Sequence, residues 1–327
     1  MSRNAIGTNR ARILLGCAAA ILLSLVVGCA RSPEFKRDQE YSRDDSYYDR
    51  GRTSSEKVES MGQPKKKVMV FAYWNDTPVK APTLGAYGAD ELKRGLSLSQ
   101  RLIVPKDLNT MLTTEDFVSG EKVKVAQLIR EGRRLGVAVI IIGRITKIVF
   151  RQRGDEIGLF RQKQSLAATD LEVKIFDVAA GREVAALGRS GEASANASVA
   201  LEEENLESQD FRNEMSRLAL RNAITSLVPD VIRTIEKMIW QGKIAKVVGT
   251  KIYINSGKSS GLIAGDILKV LSAGDDVYDP QTGAYLGRSP GQLKGTLEVI
   301  DFLGSDGAVS EVHTGGNFQE GDVVQLY

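Results

Sequence analysis

Few residues in this chain could do chemistry, and their spacing suits little of it. Two cysteines, Cys17 and Cys29, and one histidine, His313, stand among 327 residues. A zinc site needs three or four thiolate, imidazole or carboxylate ligands, and a nucleophile needs a base beside it. Cys17 lies inside a leading apolar segment, so neither a disulfide framework nor a thiolate cluster can be built. His313 reads as an isolated exposed or half-buried side chain. Gly257-Lys258-Ser259 carries the last part of a phosphate loop. That motif needs Gly five residues earlier, where Ile252 stands, and a helix afterwards, where a Gly-Asp turn and a strand are expected. Glu202-Glu203-Glu204 has no Asp/Asn ligand spacing beside it and reads as a solvated face. No catalytic residue, metal site or cofactor is expected, and the chain reads as something other than an enzyme.

Cys29 is the exception. Residues 1–12 are polar and basic, with Arg3, Arg10 and Arg12, and residues 13–27 are an apolar run rich in Leu, Ala and Val. About 15 apolar residues fall short of the ~20 that a spanning helix needs. This is the build of a secretory signal peptide over residues 1–28. The run ends Leu25-Val26-Val27-Gly28-Cys29, which resembles the bacterial lipobox. That resemblance implies acylation of the Cys29 thiol, cleavage before it and acylation of the new amine. Several acyl chains anchor stably, because each buried methylene contributes about 0.8 kcal/mol. Ala30, rather than Asp, follows the cysteine, and the sorting rule this resembles points to the outer membrane, with the protein facing the periplasm.

The elements behind these residues fall into three parts. Residues 29–66 read as the lipidated cysteine and a tether, dense in charge and poor in aliphatics, which cannot offset its ordering entropy by burial. Over 67–242 the pattern predicts βαβαβββα: a strand at 68–74, a helix at 84–99, a short strand at 102–105 and a basic amphipathic helix at 123–135. A long buried strand at 137–149 and strands at 171–178 and 182–187 follow. The last element is a long helix at 211–241 with a kink at Pro229, whose inward side would carry Met215, Leu218, Ala219, Ala223, Leu227, Val231, Ile235 and Ile239. Such an order makes an α/β sandwich. Residues 243–327 hold six or so short strands with regular turns, hence a small all-β barrel. Ala264-Gly265-Asp266-Ile267-Leu268 and Glu320-Gly321-Asp322-Val323-Val324 look like one turn used twice. Of 44 basic residues three precede Cys29, so 41 remain against 41 acidic. A neutral mature chain has no field to gather nucleic acid.

Residues 68–74, then Glu131-Gly132-Arg133-Arg134-Leu135-Gly136-Val137-Ala138-Val139-Ile140-Ile141-Ile142-Gly143, then Leu171-Glu172-Val173-Lys174-Ile175-Phe176-Asp177-Val178-Ala179-Ala180-Gly181, resemble the curli secretion channel (CsgG-like) family. The same core is similar to the N-terminal domain of the periplasmic TolB protein and to the middle domain of the flagellar H-ring protein. The C-terminal part resembles the C-terminal domain of the flagellar H-ring protein. The resemblance implies a homo-oligomeric subunit of an envelope machine, a flagellar motor ring or a secretion apparatus, with other envelope proteins as partners. It also offers an alternative, an oligomeric outer-membrane export pore, whose hairpins would correspond to residues 149–168 and 185–210. A membrane strand needs about 9–11 residues with alternate ones apolar. Neither register of the first stretch clears its charges. In the second, Ala193, Ala195, Ala197, Val199 and Leu201 alternate with polar residues.

Overall fold

In a computed structural model the described residues are 63–79, 81–106, 112–120, 122–154, 162–198 and 208–327. Residues 1–62, with the expected signal peptide, Cys29 and most of the expected tether, lie outside them.

The unbroken run Val139-Ile140-Ile141-Ile142 is apolar at every position because both of its faces are covered. It opens β5 (Val139–Gly154), the middle of a mixed sheet. Val139, Ile141 and Ile145 enter one core, whereas Ile140 and Ile142 enter another on the opposite side. Period-two alternation sends neighbours to opposite faces, so such a run marks a strand with two cores. On one side of β5 lie two short parallel strands, β1 (Val68–Val70) and β2 (Trp74–Asn75). On the other side β6 (Gln162–Asp177) and then β7 (Arg182–Ser198) pair antiparallel, giving the order β1-β5-β6-β7.

Two helices cover the first face. They are α1 (Leu84–Leu98) and α4 (Gln209–Glu236), which bring Leu92 and Leu96, and Leu227, Val231 and Ile235, against Val173 and Ile175. The second face carries α2 (Thr114–Phe117) and α3 (Val125–Leu135), whose Phe117, Leu128 and Ile129 meet Ile140, Ile142 and Phe176. A small hairpin, β3 (Val118–Ser119) with β4 (Lys122–Val123), joins those two helices.

Several expected boundaries move. The strand at 68–74 is two short strands. Residues 102–105 give one isolated bridge, Ile103 to Lys67, instead of a strand. The basic helix starts at Val125, because Val123 is taken by β4. The long helix runs through the exposed Pro229 but ends at Glu236, so Ile239 lies beyond it and is 66% exposed, while Trp240 is buried. Strands expected to stop near residues 149 and 187 run on to Gly154 and Ser198. Pairing to a neighbour satisfies their backbones even where the side chains are charged or small.

The C-terminal part is a closed barrel in the order β10-β13-β14-β9-β8-β15. Its strands are β8 (Gly242–Val248), β9 (Lys251–Ile254), β10 (Ile267–Leu271), β13 (Leu293–Leu303), β14 (Gly307–Gly315) and β15 (Val323–Leu326). The repeated turn is real in geometry. Gly265 and Gly321 have φ of +92° and +90°. The Ile263 and Gln319 amides donate to the Asp266 and Asp322 carboxylates, each at 2.8 Å. Each turn also bonds across to a strand of the other half. The Gly265 amide donates to Val299 O, and Val299 N to Asp266 O; likewise Gly321 N donates to Ile244 O, and Ile244 N to Asp322 O. Exchanging β8-β9-β10 with β13-β14-β15 reproduces the ring order, so the barrel has approximate two-fold topology. One site departs from it: Asp322 also pairs with Lys294 Nζ at 2.7 Å, both side chains being largely buried.

A two-stranded arm, β11 (Asp276–Tyr278) with β12 (Tyr285–Arg288), leaves the barrel between β10 and β13. The coarse class is thus mixed α/β followed by a closed six-stranded barrel.

Candidate interaction surface

The residues singled out for chemistry do not come together. Cys29 and Glu202-Glu203-Glu204 lie outside the described residues. His313 is exposed on β14. Among the described residues no group of three His, Cys, Asp or Glu could hold a metal ion, and no helix is long and apolar enough to cross a membrane. Gly257-Lys258-Ser259 opens a single 3₁₀ turn (Lys258–Ser260). Its amides are already used: Ser259 N donates to Ser305 O, Ser260 N to Gly257 O and Gly261 N to Lys258 O. Ser259 Oγ bonds Asp306, and the Lys258 ammonium sits 5.2 Å from the Phe302 ring centre. A phosphate cradle needs free amides pointing into one hollow, and this turn has spent those three.

Past Ile145 the sheet becomes a three-stranded strip. β2 stops pairing there, while β5, β6 and β7 continue together to Gly154, Lys163 and Ala197. One face of the strip carries Phe150, Ala167, Ala193 and Ala195, which pack on Phe211, Met215, Leu218 and Ala219 of α4. Ala193 and Ala195, the first two of the alternating residues that could have met lipid, are therefore covered by a helix; residues 199–201 lie outside the described residues. Arg189 and Asp230 form an ion pair, and the Asn222 amide donates to Glu192 O at 2.7 Å. These contacts hold α4 to β7. The other face of the strip has Lys147 and Arg151 on β5, Asp170 and Leu166 on β6, and Ser190, Glu192 and Ser194 on β7, many of them exposed.

A second cluster joins the arm to the α/β part. Arg133, in the last turn of α3, holds Asp276 through two bonds of 2.9 and 2.7 Å, and its Nη2 also donates to Tyr285 Oη at 3.3 Å. Arg288 N donates to Ala180 O at 3.2 Å in the β6–β7 turn. The Arg133 guanidinium holds the Asp276 carboxyl below the usual carboxylate range, mainly through these hydrogen bonds. Tyr285 is pushed up, first by partial burial and then by Asp276. Sequence reading missed this cluster. Its partners are 143 residues apart, and Arg133 looks like one more charge on a basic helix.

No protein-family model matches the chain, and no curated protein matches it. Solved structures of similar shape cover about half of it. A hypothetical protein from Chlamydia trachomatis is 16% identical over 53% of this chain and 96% of its own, with a TM-score of 0.32. A PelC dodecamer from Paraburkholderia phytofirmans is 15% identical over 52% and 89%, TM-score 0.28. A lipoprotein from Neisseria meningitidis is 14% identical over 53% and 99%, TM-score 0.24. Further lipoproteins from Caulobacter crescentus and Acinetobacter baumannii stand among these neighbours. At such identity and TM-score the neighbours assign this chain no activity.

Proposed function

We propose that this chain is a non-enzymatic lipoprotein of a bacterial envelope, held by acylated Cys29 at the outer membrane and facing the periplasm. There it acts as a structural subunit, in several copies, of a larger envelope machine such as a flagellar motor ring or a secretion apparatus. The observation that carries this reading is the pairing of a lipobox with a fold whose unspent features are surfaces. Its conspicuous exposed element is a sheet strip with unpaired edges, and no cluster of chemistry-bearing side chains accompanies it among the described residues. The alternative reading, an export pore, needs a lipid-facing row of side chains. The alanine row best suited to that task packs on α4 through Ala195, which favours the scaffold.

Anchoring is tested by Cys29→Ala. The variant is expected as an uncleaved or soluble precursor of altered electrophoretic mobility, released from the membrane fraction. Unchanged fractionation and mobility would refute the anchor. Purification of the native protein in mild detergent, followed by mass spectrometry of what accompanies it, tests the machine. Stable conductance steps after reconstitution into planar bilayers would replace the scaffold by the pore.

A further inference from the structure

We propose that the strip joins copies of this chain edge to edge, β7 of one copy adding to the distal half of β5 of the next. This inference rests on the multi-copy reading above and names its contact.

Both edges of the strip are open. β5 pairs β2 only as far as Ile145, with Asp76 N donating to Ile145 O, so residues 146–154 have no partner strand on that side among the described residues. β7 pairs β6 along its length and has no strand beyond it among the described residues. The outward groups of β7 can be identified. The carbonyls of Gly188 and Glu192 take side-chain donors, Arg189 and Asn222, and so point away from β6. By alternation the backbone N–H and C=O of Gly188, Ser190, Glu192 and Ser194 all face outward. An unpaired edge of this length is a template for another strand, and proteins that stay monomeric blunt it with proline, lysine or a bulge. Residues 188–198 have no proline and no lysine, the β6–β7 pairing has no irregularity there, and small residues predominate.

The two edges also suit each other. Each offers about nine residues, roughly 30 Å of ladder. Across β6, Val149 stands level with Glu192, Lys147 with Ser190 and Arg151 with Ser194, and all six lie on the face that the helices leave open. Joined level with level, Glu192 of one copy would sit opposite Val149 of the next, between Lys147 and Arg151 on the diagonals. Opposite charges on such diagonals stabilise pairing. β5 and β7 run in the same direction, so the joint is parallel and head-to-tail. Head-to-tail contacts close into rings when the rotation allows. The Asn222 amide, which now takes the Glu192 carbonyl, would give way to the incoming strand.

The test uses the full lipidated protein in detergent, with mass read by light scattering or native mass spectrometry. Wild type is expected as a multimer. Ser194→Lys and Ser194→Pro, which obstruct an outward position, are expected to cut the mass to that of one copy, with circular dichroism and Tm close to wild type for the lysine variant. Arg151→Cys combined with Ser194→Cys should form a disulfide between copies on mild oxidation, and neither single variant should. A monomeric wild type would overturn both the assembly reading and this contact. A multimer that survives Ser194→Lys and resists the cross-link would overturn the contact alone. Cross-linking by Ser194→Cys without its partner would overturn it in favour of a two-fold β7–β7 joint.

Discussion

Tyr73 follows β1, and three glycines make room for it. A Cβ on Gly143 would overlap its ring, one on Gly88 would press the ring's other edge, and one on Gly85 would overlap its carbonyl oxygen. The side chain is 4% exposed, and its hydroxyl has no hydrogen-bond partner among the described residues. Burial pushes the phenol well above its ordinary range, so it stays neutral. An unsatisfied buried hydroxyl costs about 1–3 kcal/mol, whereas an apolar group of the same shape incurs no such loss. Tyr73→Phe is therefore expected to raise stability by about 1 kcal/mol in denaturant unfolding. A loss of stability would mean that the hydroxyl is bound in the folded protein. The residue alphabet carries an expectation about catalysis, because catalysis needs particular atoms and histidine and cysteine are scarce here. It could not show Tyr73's cradle, since Gly85 and Gly88 come from α1 and Gly143 from β5, which meet only in the fold.

At the scale of elements, what was legible follows from what each pattern measures. The run from Val137 to Ile142 announced a doubly covered strand, and the two Gly-Asp turns announced a repeated turn, because burial and positive φ write directly into residue type. Strand length was not legible. β5 and β7 extend past residues 149 and 187 through Arg151, Glu192 and Ser194, where pairing rather than burial sets the conformation. The end of α4 was misplaced because the apolar residues after Glu236 do not continue its buried stripe: Met238 still packs on the α/β core, Ile239 is exposed and Trp240 enters the barrel core. Helix and strand approach closely at Gly191, where a Cβ would overlap the Ala219 carbonyl oxygen and the Ala223 amide nitrogen. Gly191→Val should force α4 away from β7 and cost about 3 kcal/mol, the upper part of the range for overpacking. At Gly188, whose nearest atom to a Cβ is Leu171 O at 3.8 Å, alanine should change stability by less than about 0.5 kcal/mol. Thermal unfolding of the two variants side by side makes the check, and equal losses would refute the packing argument.

At the scale of the molecule, the barrel's arm fastens the C-terminal part onto the α/β part through the Arg133–Asp276–Tyr285 cluster and the Arg288–Ala180 backbone bond. The arm tip turns back at Gly283, with φ of +68°, and the Asp279 carboxylate accepts the Gln281 and Thr282 amides. The turn is thus built independently of the surface it meets, which leaves the bidentate pair as the charged part of the grip, beside the Arg288–Ala180 backbone bond. Arg133 and Asp276 side chains are 18% and 29% exposed, so salt screens them less than a surface pair. Asp276 has its folded pKa depressed below the ordinary 3.8, chiefly by the Arg133 hydrogen bonds. A depressed carboxyl adds stability that is complete above the unfolded value and is lost as pH falls through the folded value. The grip is therefore at full strength at neutral pH and fails only in strong acid, below about pH 4. Asp276→Asn removes the titration and one charge while keeping the shape. It should lower stability at pH 7 by about 1 kcal/mol or less, given the remaining solvent contact. It should also flatten the fall of Tm as pH drops below about 4, where an ordinary and a depressed carboxyl differ in protonation. Thermal unfolding of wild type and variant across that range decides the matter. Parallel Tm curves in acid would show that the arm is held by its packing and backbone bonds, and that the Arg133 pair only decorates the junction.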